Sequence, residues 1–288
     1  MRVVLSSGAA VRPGLAGGSH TMVELVDEKA GPEGEIMVSR AGSGPALVLI
    51  HGITSGRWTW GSVVDRLAED YELFIYDQRG HGQSQKPNHG YQLTDYAGDL
   101  DIVLDHFGIA RPLIIGHSLG GMVTLEWAIG QPDRAKAIVI EDSPMRRGGD
   151  ETGELFDGWI ALNNMTREEI EAAYLANEPD ITPEDARVEA ESMAATAPGV
   201  LLDLRDAMKT HHGETVIDSY RGITTPALLV YGDVETGGMV PQVDAAEFAD
   251  VVPNGNIANI AGGSHGLHRE RTDDFLAVVL PFLEAHRA

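Results

Sequence analysis

A mostly parallel β-sheet covered by helices on both faces, interrupted once by a helical insertion, is the α/β architecture this sequence predicts. Three observations carry that expectation. Short continuous apolar runs, such as 46–50 and 137–140, recur at strand length and read as strands buried on both faces. Stretches with helical spacing of apolar residues lie between them. From 145 to 220 the composition turns acidic and strand-poor, and the alternation then resumes. The 288 residues are 43% hydrophobic, enough to bury a sizeable core, so one large domain with an insertion is expected rather than two in series.

Residues 1–20, rich in Gly, Ala and Ser from position 6, read as a flexible N-terminal arm. Ser6, Ser7 and Gly8 break the first apolar run before a secretory segment could form. No stretch reaches the ~18 apolar residues that a membrane span needs, so a cytoplasmic protein is expected. Periodicity begins at Thr21. Residues 21–27 and 35–40 read as alternating strands joined by a turn containing Gly31, Pro32 and Gly34. Then follow a buried strand at 46–50, a helix at 58–70 and a strand at 71–77. The segment 94–107 is an amphipathic helix with Tyr96, Leu100, Val103, Leu104 and Phe107 along one side. Next come a strand at 112–115, a helix at 119–130 and a strand at 137–140. Inside the insertion, 167–177, 183–196 and 199–209 carry helical periodicity. Strand 226–231, helix 243–249, strand 256–261 and helix 272–286 complete the chain. The expected core is therefore 21–144 with 221–288, and the cap or lid is 145–220.

The charge balance excludes several partners. Asp and Glu number 44 against 21 Lys and Arg, a net charge of −23. Such a field repels nucleic-acid phosphates and anionic membrane surfaces, so neither is an expected partner. Many of the acids, among them Glu168, Glu169, Glu171, Glu184, Asp185, Glu189 and Glu191, lie on the insertion's helices and read as a solvated face. With no cysteine, disulfides, thiolate metal sites and a Cys nucleophile are all excluded. No HExxH, P-loop or strand-linked GxGxxG occurs, so no metal and no cofactor is expected.

The most informative segment is Gly116-His117-Ser118-Leu119-Gly120, a G-x-S-x-G that follows an apolar strand and opens a helix. Its glycines allow a tight strand-to-helix turn that lifts a serine hydroxyl off the sheet edge. The helix N-terminus there favours a developing negative charge. Three other strand ends carry polar loops: His51-Gly-Ile-Thr54, Asp77-Gln-Arg-Gly-His-Gly-Gln-Ser84 and the late Gly262-Gly-Ser-His265.

Together these motifs resemble the α/β-hydrolase superfamily, from about Thr21 to the C-terminus except 145–220, where cap domains of that family sit and vary. The resemblance implies the α/β-hydrolase fold, with an eight-stranded sheet and a helical cap insertion. It implies Ser118 as nucleophile and His265, on the loop after the last strand, as its base, in preference to His268. It also implies an oxyanion hole made by the backbone N–H groups of Leu119 and Ile53. His117 and His51 read as structural residues.

The triad acid is open at this stage. The family's usual place for it is a turn after the strand at 226–231, and here that loop (Gly232 to Pro241) is two residues longer than the pattern. It offers Glu235 and Asp233. Asp142, 24 residues after Ser118 at the end of the preceding strand, is the preferred candidate, with Glu235 the runner-up. A serine at position 118 disfavours the dehalogenases and epoxide hydrolases of the superfamily, which use Asp there.

Substrate recognition is expected between cap and core. Trp58, Trp60, Met122, Phe156, Trp159, Met165, Met193 and Met208 are apolar enough to line a pocket, and Met122 and Trp159 are its first candidates. Arg146-Arg147 is either a carboxylate grip or a solvated basic pair. The adjacent His211-His212 is not a metal pair. The expected activity is serine hydrolysis of small to medium acyl esters through an acyl-enzyme. C–C-bond, lactone or amide hydrolysis by the same residues is the alternative, and a receptor-like ligand binder is the alternative of another class. The expected partner is a small ester-like molecule, and the expected assembly is a monomer or homodimer.

Overall fold

Val26–Ala30 (β1) and Ile36–Gly42 (β2) form the antiparallel hairpin that starts the fold, closed by a turn in which Gly31 and Gly34 both take positive φ. This computed structural model describes residues 23–145, 150–178, 181–210 and 216–288. The expected N-terminal arm, Arg146-Arg147 and His211-His212 lie outside them, as does the side chain of Met208. The first strand starts later than the sequence predicts. It is an edge strand with four of its five residues exposed, so burial leaves little alternation to read.

Ala46–Ile50 (β3) follows, then a single 3-10 turn at Arg57–Trp60 and the helix Gly61–Ala68 (α1), where one helix over 58–70 was expected. Next come Glu72–Tyr76 (β4), Leu93–His106 (α2), Leu113–His117 (β5), Leu119–Gly130 (α3) and Ala137–Glu141 (β6). The insertion carries Asp150–Asn163 (α4), Arg167–Asn177 (α5), Pro183–Ala195 (α6) and Pro198–Thr210 (α7). The first of these is absent from the sequence reading, because Gly153 and Gly158 weaken its helical pattern. The spacing of Phe156, Trp159 and Ile160 was its signal. A 3-10 turn at Ile217–Gly222 leads to Ala227–Tyr231 (β7), Gln242–Val251 (α8) and Gly255–Asn259 (β8). Leu267–Glu270 (α9) is a separate turn before Thr272–His286 (α10).

Among the described residues the eight strands form one sheet in the order β1-β2-β4-β3-β5-β6-β7-β8, antiparallel through β1, β2 and β4 and parallel from β4 to β8. Strands β3 to β7 read as continuous apolar runs because both faces are covered. Val48, Ile50, Ile114, Ile138, Ile140 and Leu229 enter one core with Leu100, Val103 and Leu104 of α2. Leu47, Leu49, Ile115, Val139 and Val230 enter the other with Val63 and Leu67 of α1 and Phe275 and Val279 of α10. Strand β3 lies between β4 and β5, and the register sets Ile50 beside Gly116 and His117 beside Glu141. The chain therefore leaves β3, β5 and β6 side by side at the carboxyl edge, where open α/β sheets place their ligands.

Candidate active site

Ser118 stands between β5 and α3 at φ 54° and ψ −117°, a left-handed conformation unusual for a residue with a side chain. Its surroundings hold it there. Its N–H donates to Glu141 O (2.9 Å), and its carbonyl accepts Ser143 Oγ (2.7 Å) and the amides of Gly121 (3.0 Å) and Met122 (3.1 Å). Glycine at 120 is a steric requirement, since a Cβ there would sit 2.1 Å from the Ile50 carbonyl oxygen. The hydroxyl of Ser118 makes no cap to its helix.

Asp142, also at positive φ (42°), ends β6 with its carboxylate fully buried. His265 Nδ1 donates to its Oδ2 at 2.8 Å, and the imidazole remains about a quarter exposed at 26%. The same carboxylate accepts the N–H of Met239 (2.8 Å) and of Gly232 (3.3 Å). The loop after β7 thus serves as a cradle for Asp142. Its own acids point elsewhere: Glu235 is exposed, and Asp233 accepts Asn259 Nδ2 and the N–H of Gly262. Of the three candidate acids, the structure brings Asp142 to His265.

Ile53 and Leu119 present backbone N–H groups with no internal acceptor among the described residues. The loop bearing Ile53 is fixed by two histidines. His51 donates from Nδ1 to Gly52 O (2.7 Å) and accepts Gln78 N–H at Nε2 (3.0 Å). His81 donates from Nδ1 to Arg79 O (3.0 Å), leaving Nε2 to accept the N–H of Thr54 (3.3 Å), itself at φ 55°. Burial keeps both rings neutral: it lowers His51 below the usual histidine range, and with His51 nearby it pushes His81 down to about 3. A Cβ on Gly52 would approach His117 Nδ1 and Ser118 Cβ at 3.0 and 3.1 Å, so the loop lies directly against the elbow.

His117 does more than pack. Its Nε2 donates to His265 O (2.9 Å), tying the histidine loop to the residue before Ser118. Burial, reinforced by His265 and His268, holds it well below the normal histidine range. The insertion meets this edge through an apolar cluster in which Phe156 and Val200 join Leu119, Val123 and Tyr96, with Ile53 and Trp159 partly buried against it. Trp159 packs edge-on to Phe156 at 5.2 Å, whereas Met122 is half-buried on the first turn of α3 and stands outside that cluster. Trp60 and Met193 are fully buried packing residues, and Met165 is exposed. Trp58 donates to Ser192 Oγ (2.5 Å) and lies under the Arg269 guanidinium, which also pairs with Glu189 (3.0 Å).

Sequence reasoning missed the Met239, Gly232 and Ser143 contacts, the role of His81 and the pairing of Glu141 with His268. The two extra residues in the loop after β7 and the Glu141-Asp142 doublet were the available signals.

A sequence profile described as the alpha/beta hydrolase fold matches residues 45–171. A 2-(acetamidomethylene)succinate hydrolase of Mesorhizobium japonicum is 28% identical over 257 residues, covering 86% of this chain and 91% of its own. The crystal structure of an E-2-(acetamidomethylene)succinate hydrolase superposes with a TM-score of 0.74 at 23% identity, over 91% of this chain and 100% of that one. An esterase of Exiguobacterium antarcticum superposes at 0.73 with 18% identity, over 90% and 99%. The chain has the α/β-hydrolase fold and is similar to hydrolases built on it. It is a hydrolase built on that fold, with a helical insertion between β6 and β7.

Proposed function

We propose that this protein is a carboxylesterase acting on small to medium acyl substrates, with Ser118, His265 and Asp142 as its triad and the Ile53 and Leu119 amides as its oxyanion hole. The observation that carries the reading is the 2.8 Å bond from His265 Nδ1 to a buried Asp142, on a loop bonded to the residue that precedes a left-handed, uncapped Ser118. A serine hydroxyl is a weak nucleophile at neutral pH and needs a base. With Nδ1–H committed to Asp142, His265 offers Nε2 as that base, and the carboxylate stabilises the imidazolium that forms. Ser118 Oγ attacks the acyl carbon and its proton passes to Nε2. The two free N–H groups receive the negative charge on the carbonyl oxygen without reorganising. Collapse returns the proton to the leaving alcohol, and water repeats the cycle to release the acid.

The cap of the proposal is the insertion, whose Trp159 and Phe156 pack beside Ile53 and Leu119 and supply an apolar wall, with Met122, on the first turn of α3, as the candidate on the core side. A cytoplasmic monomer or homodimer that binds neither nucleic acid nor membrane completes the proposal, on charge and composition. Among the described residues no helix is long and apolar enough to cross a membrane. A second reading, hydrolysis of an acylated amine, is favoured by the Mesorhizobium relative, whose named substrate is an acetamido compound.

Turnover of p-nitrophenyl acetate and butyrate tests the reading. Ser118→Ala and His265→Ala are each expected to lower kcat by about 10³-fold or more, and Asp142→Asn by a comparable factor. Full activity in Ser118→Ala overturns the mechanism. A near-normal Asp142→Asn beside an inactive Glu235→Gln moves the acid to the loop after β7. A chain that binds ligand but takes no fluorophosphonate label is a receptor-like member and not an enzyme.

A further inference from the structure

Two consecutive residues at the end of β6 each hold a histidine from one short stretch of chain. Asp142 takes His265, and Glu141 takes His268, three residues further on. The second pair has the bond pattern of the first but none of its exposure: Glu141 and His268 are both 0% exposed. Glu141 Oε1 accepts the backbone N–H of His268 (2.8 Å), and His268 Nδ1 lies 2.8 and 2.9 Å from the two carboxylate oxygens. On the far side His268 Nε2 meets Thr59 Oγ1 at 3.1 Å. Ser62 Oγ and Thr272 Oγ1 donate to the His268 carbonyl (2.7 and 2.9 Å), and the ring stacks on Trp60 at 4.3 Å. An acid, an imidazole and a hydroxyl thus stand in a line, sealed from any substrate.

Burying a carboxylate and an imidazole is expensive unless every polar atom is matched, and a well-packed apolar pair commonly stabilises as well or better. What the polar pair adds is direction. A single bond from Asp142 leaves the His265 loop free to pivot about it. A second attachment one residue away on the same strand removes that freedom. His117 completes the frame. Its ring lies 4.6 Å from that of His265 and 5.1 Å from that of His268, and its Nε2 holds the His265 carbonyl. Misplacing a base by about 1 Å can lower a rate on the order of 10²-fold.

We propose that His268, held by Glu141 and Thr59, is a positioning residue that fixes the ring of His265 toward Ser118. The proposal rests on the serine-hydrolase reading above. The charged and titratable groups facing His265 are Asp142 from the end of β6, His117 from β5 and Glu270 from α9, with the Arg269–Glu189 pair beyond. Those facing His268 are Glu141, His117 and Glu270.

The test uses the full chain, with Tm, the rate of fluorophosphonate labelling at Ser118 and separate kcat and KM values for p-nitrophenyl butyrate. His268→Asn keeps a donor toward Glu141, and His268→Leu does not. Labelling and kcat are expected to fall about tenfold or more in His268→Leu with KM little changed, and to recover in His268→Asn. Glu141→Gln keeps the volume and an acceptor and is the variant to read should His268→Leu fail to fold. Its labelling rate is expected to lie between those of His268→Leu and the parent, because the amide oxygen still accepts the His268 N–H. Parent-like labelling in His268→Leu, no recovery in a folded His268→Asn, or, where His268→Leu does not fold, parent-like labelling in Glu141→Gln overturns the proposal alone. A parent chain that takes no label at Ser118 overturns the hydrolase reading and this inference with it.

Discussion

Helices α5 and α3 both begin at a hydroxyl residue, and they use it in opposite ways. Helix α5 starts from Thr166, whose side chain accepts the N–H of Glu169 while the Glu169 carboxylate returns to the N–H of Thr166. Every bond in that box is local, within three residues. Helix α3 starts from Ser118, whose side chain caps nothing and whose backbone is held by residues far along the chain: Glu141, Ser143 and the close passage of Ile50 past Gly120. The first helix satisfies its own N-terminus. The second leaves its N–H groups open and has its shape imposed from outside. Helices α5 and α6 of the insertion thus have starts that are stabilised locally, and the carboxyl edge of the sheet is made of loops that stabilise one another. A substitution at the edge should be felt in activity or in global folding, and one in the insertion should stay local.

The largest break in that contrast is expected within α3. Ser118→Ala removes only an uncapping hydroxyl, so Tm should hold while activity collapses. Gly120→Ala does the reverse of a local change. Its new Cβ would meet the Ile50 carbonyl 2.1 Å away, and backbone on both sides must move. A loss of about 3 kcal/mol or more is expected from such overpacking, read as the urea midpoint of unfolding, together with loss of activity. A Gly120→Ala protein as stable as its parent would mean that the elbow is looser than its contacts imply.

A smaller effect concerns the buried histidines of the edge. His81 is neutral in the folded chain down to about pH 3, whereas in the unfolded chain it takes a proton near 6.5. Its contribution is complete above pH 6.5 and is lost as the pH falls from there toward 3, because the unfolded state then binds the extra proton. Between pH 6.5 and 5 the loss is about 2 kcal/mol from this residue. His51 and His117, also lowered by burial, act in the same direction. Urea midpoints at pH 7 and pH 5 measure it. His81→Asn, which keeps a donor for Arg79 O, should be less stable at pH 7 yet flatter between the two pH values. Equal slopes in parent and variant would show that His81 is protonated in the folded state as well.

The contrast also explains what could be read from the sequence. Strands buried on both faces, such as Ala46–Ile50 and Ala227–Tyr231, write themselves as apolar runs, and the Gly-x-Ser-x-Gly turn needs its glycines whatever surrounds it. Ser118 and His265 were legible for that reason. The choice among Asp142, Glu235 and Asp233 was not, since it depends on which way a loop folds in three dimensions. The loop after β7 turns two amides toward Asp142 and its own carboxylates away. The Glu141–His268 pair was hidden for the same reason: 127 residues separate the partners, and an interior acid–imidazole contact leaves no periodic trace. In the insertion the difficulty is different. Helix α4 buries Phe156 and Leu162 behind two glycines and several acids, so its pattern is diluted, while capped α5 and α6 announce their starts through Thr166 and Thr182.

The smallest expected effect tests the other half of the comparison. Thr166→Ala removes the hydroxyl that accepts the Glu169 amide, leaving an N-terminal N–H of α5 to water. Such losses cost about 1 kcal/mol in a helix whose start has no other support. Because α5 packs on α6 through Ile170 and Tyr174, the loss should appear as faster amide exchange confined to α5 and α6. Ser118 labelling should be unchanged, since no residue of α5 lies in the apolar cluster around Leu119. If Thr166→Ala instead slowed labelling, the insertion would be coupled to the edge more tightly than its locally closed N-caps allow. Two routes would carry it: Ile53 and Trp159, which also pack against the α5–α6 cluster, and the seam formed by Trp58, Ser192, Arg269 and Glu189, which joins α6 to the stretch that carries His265 and His268.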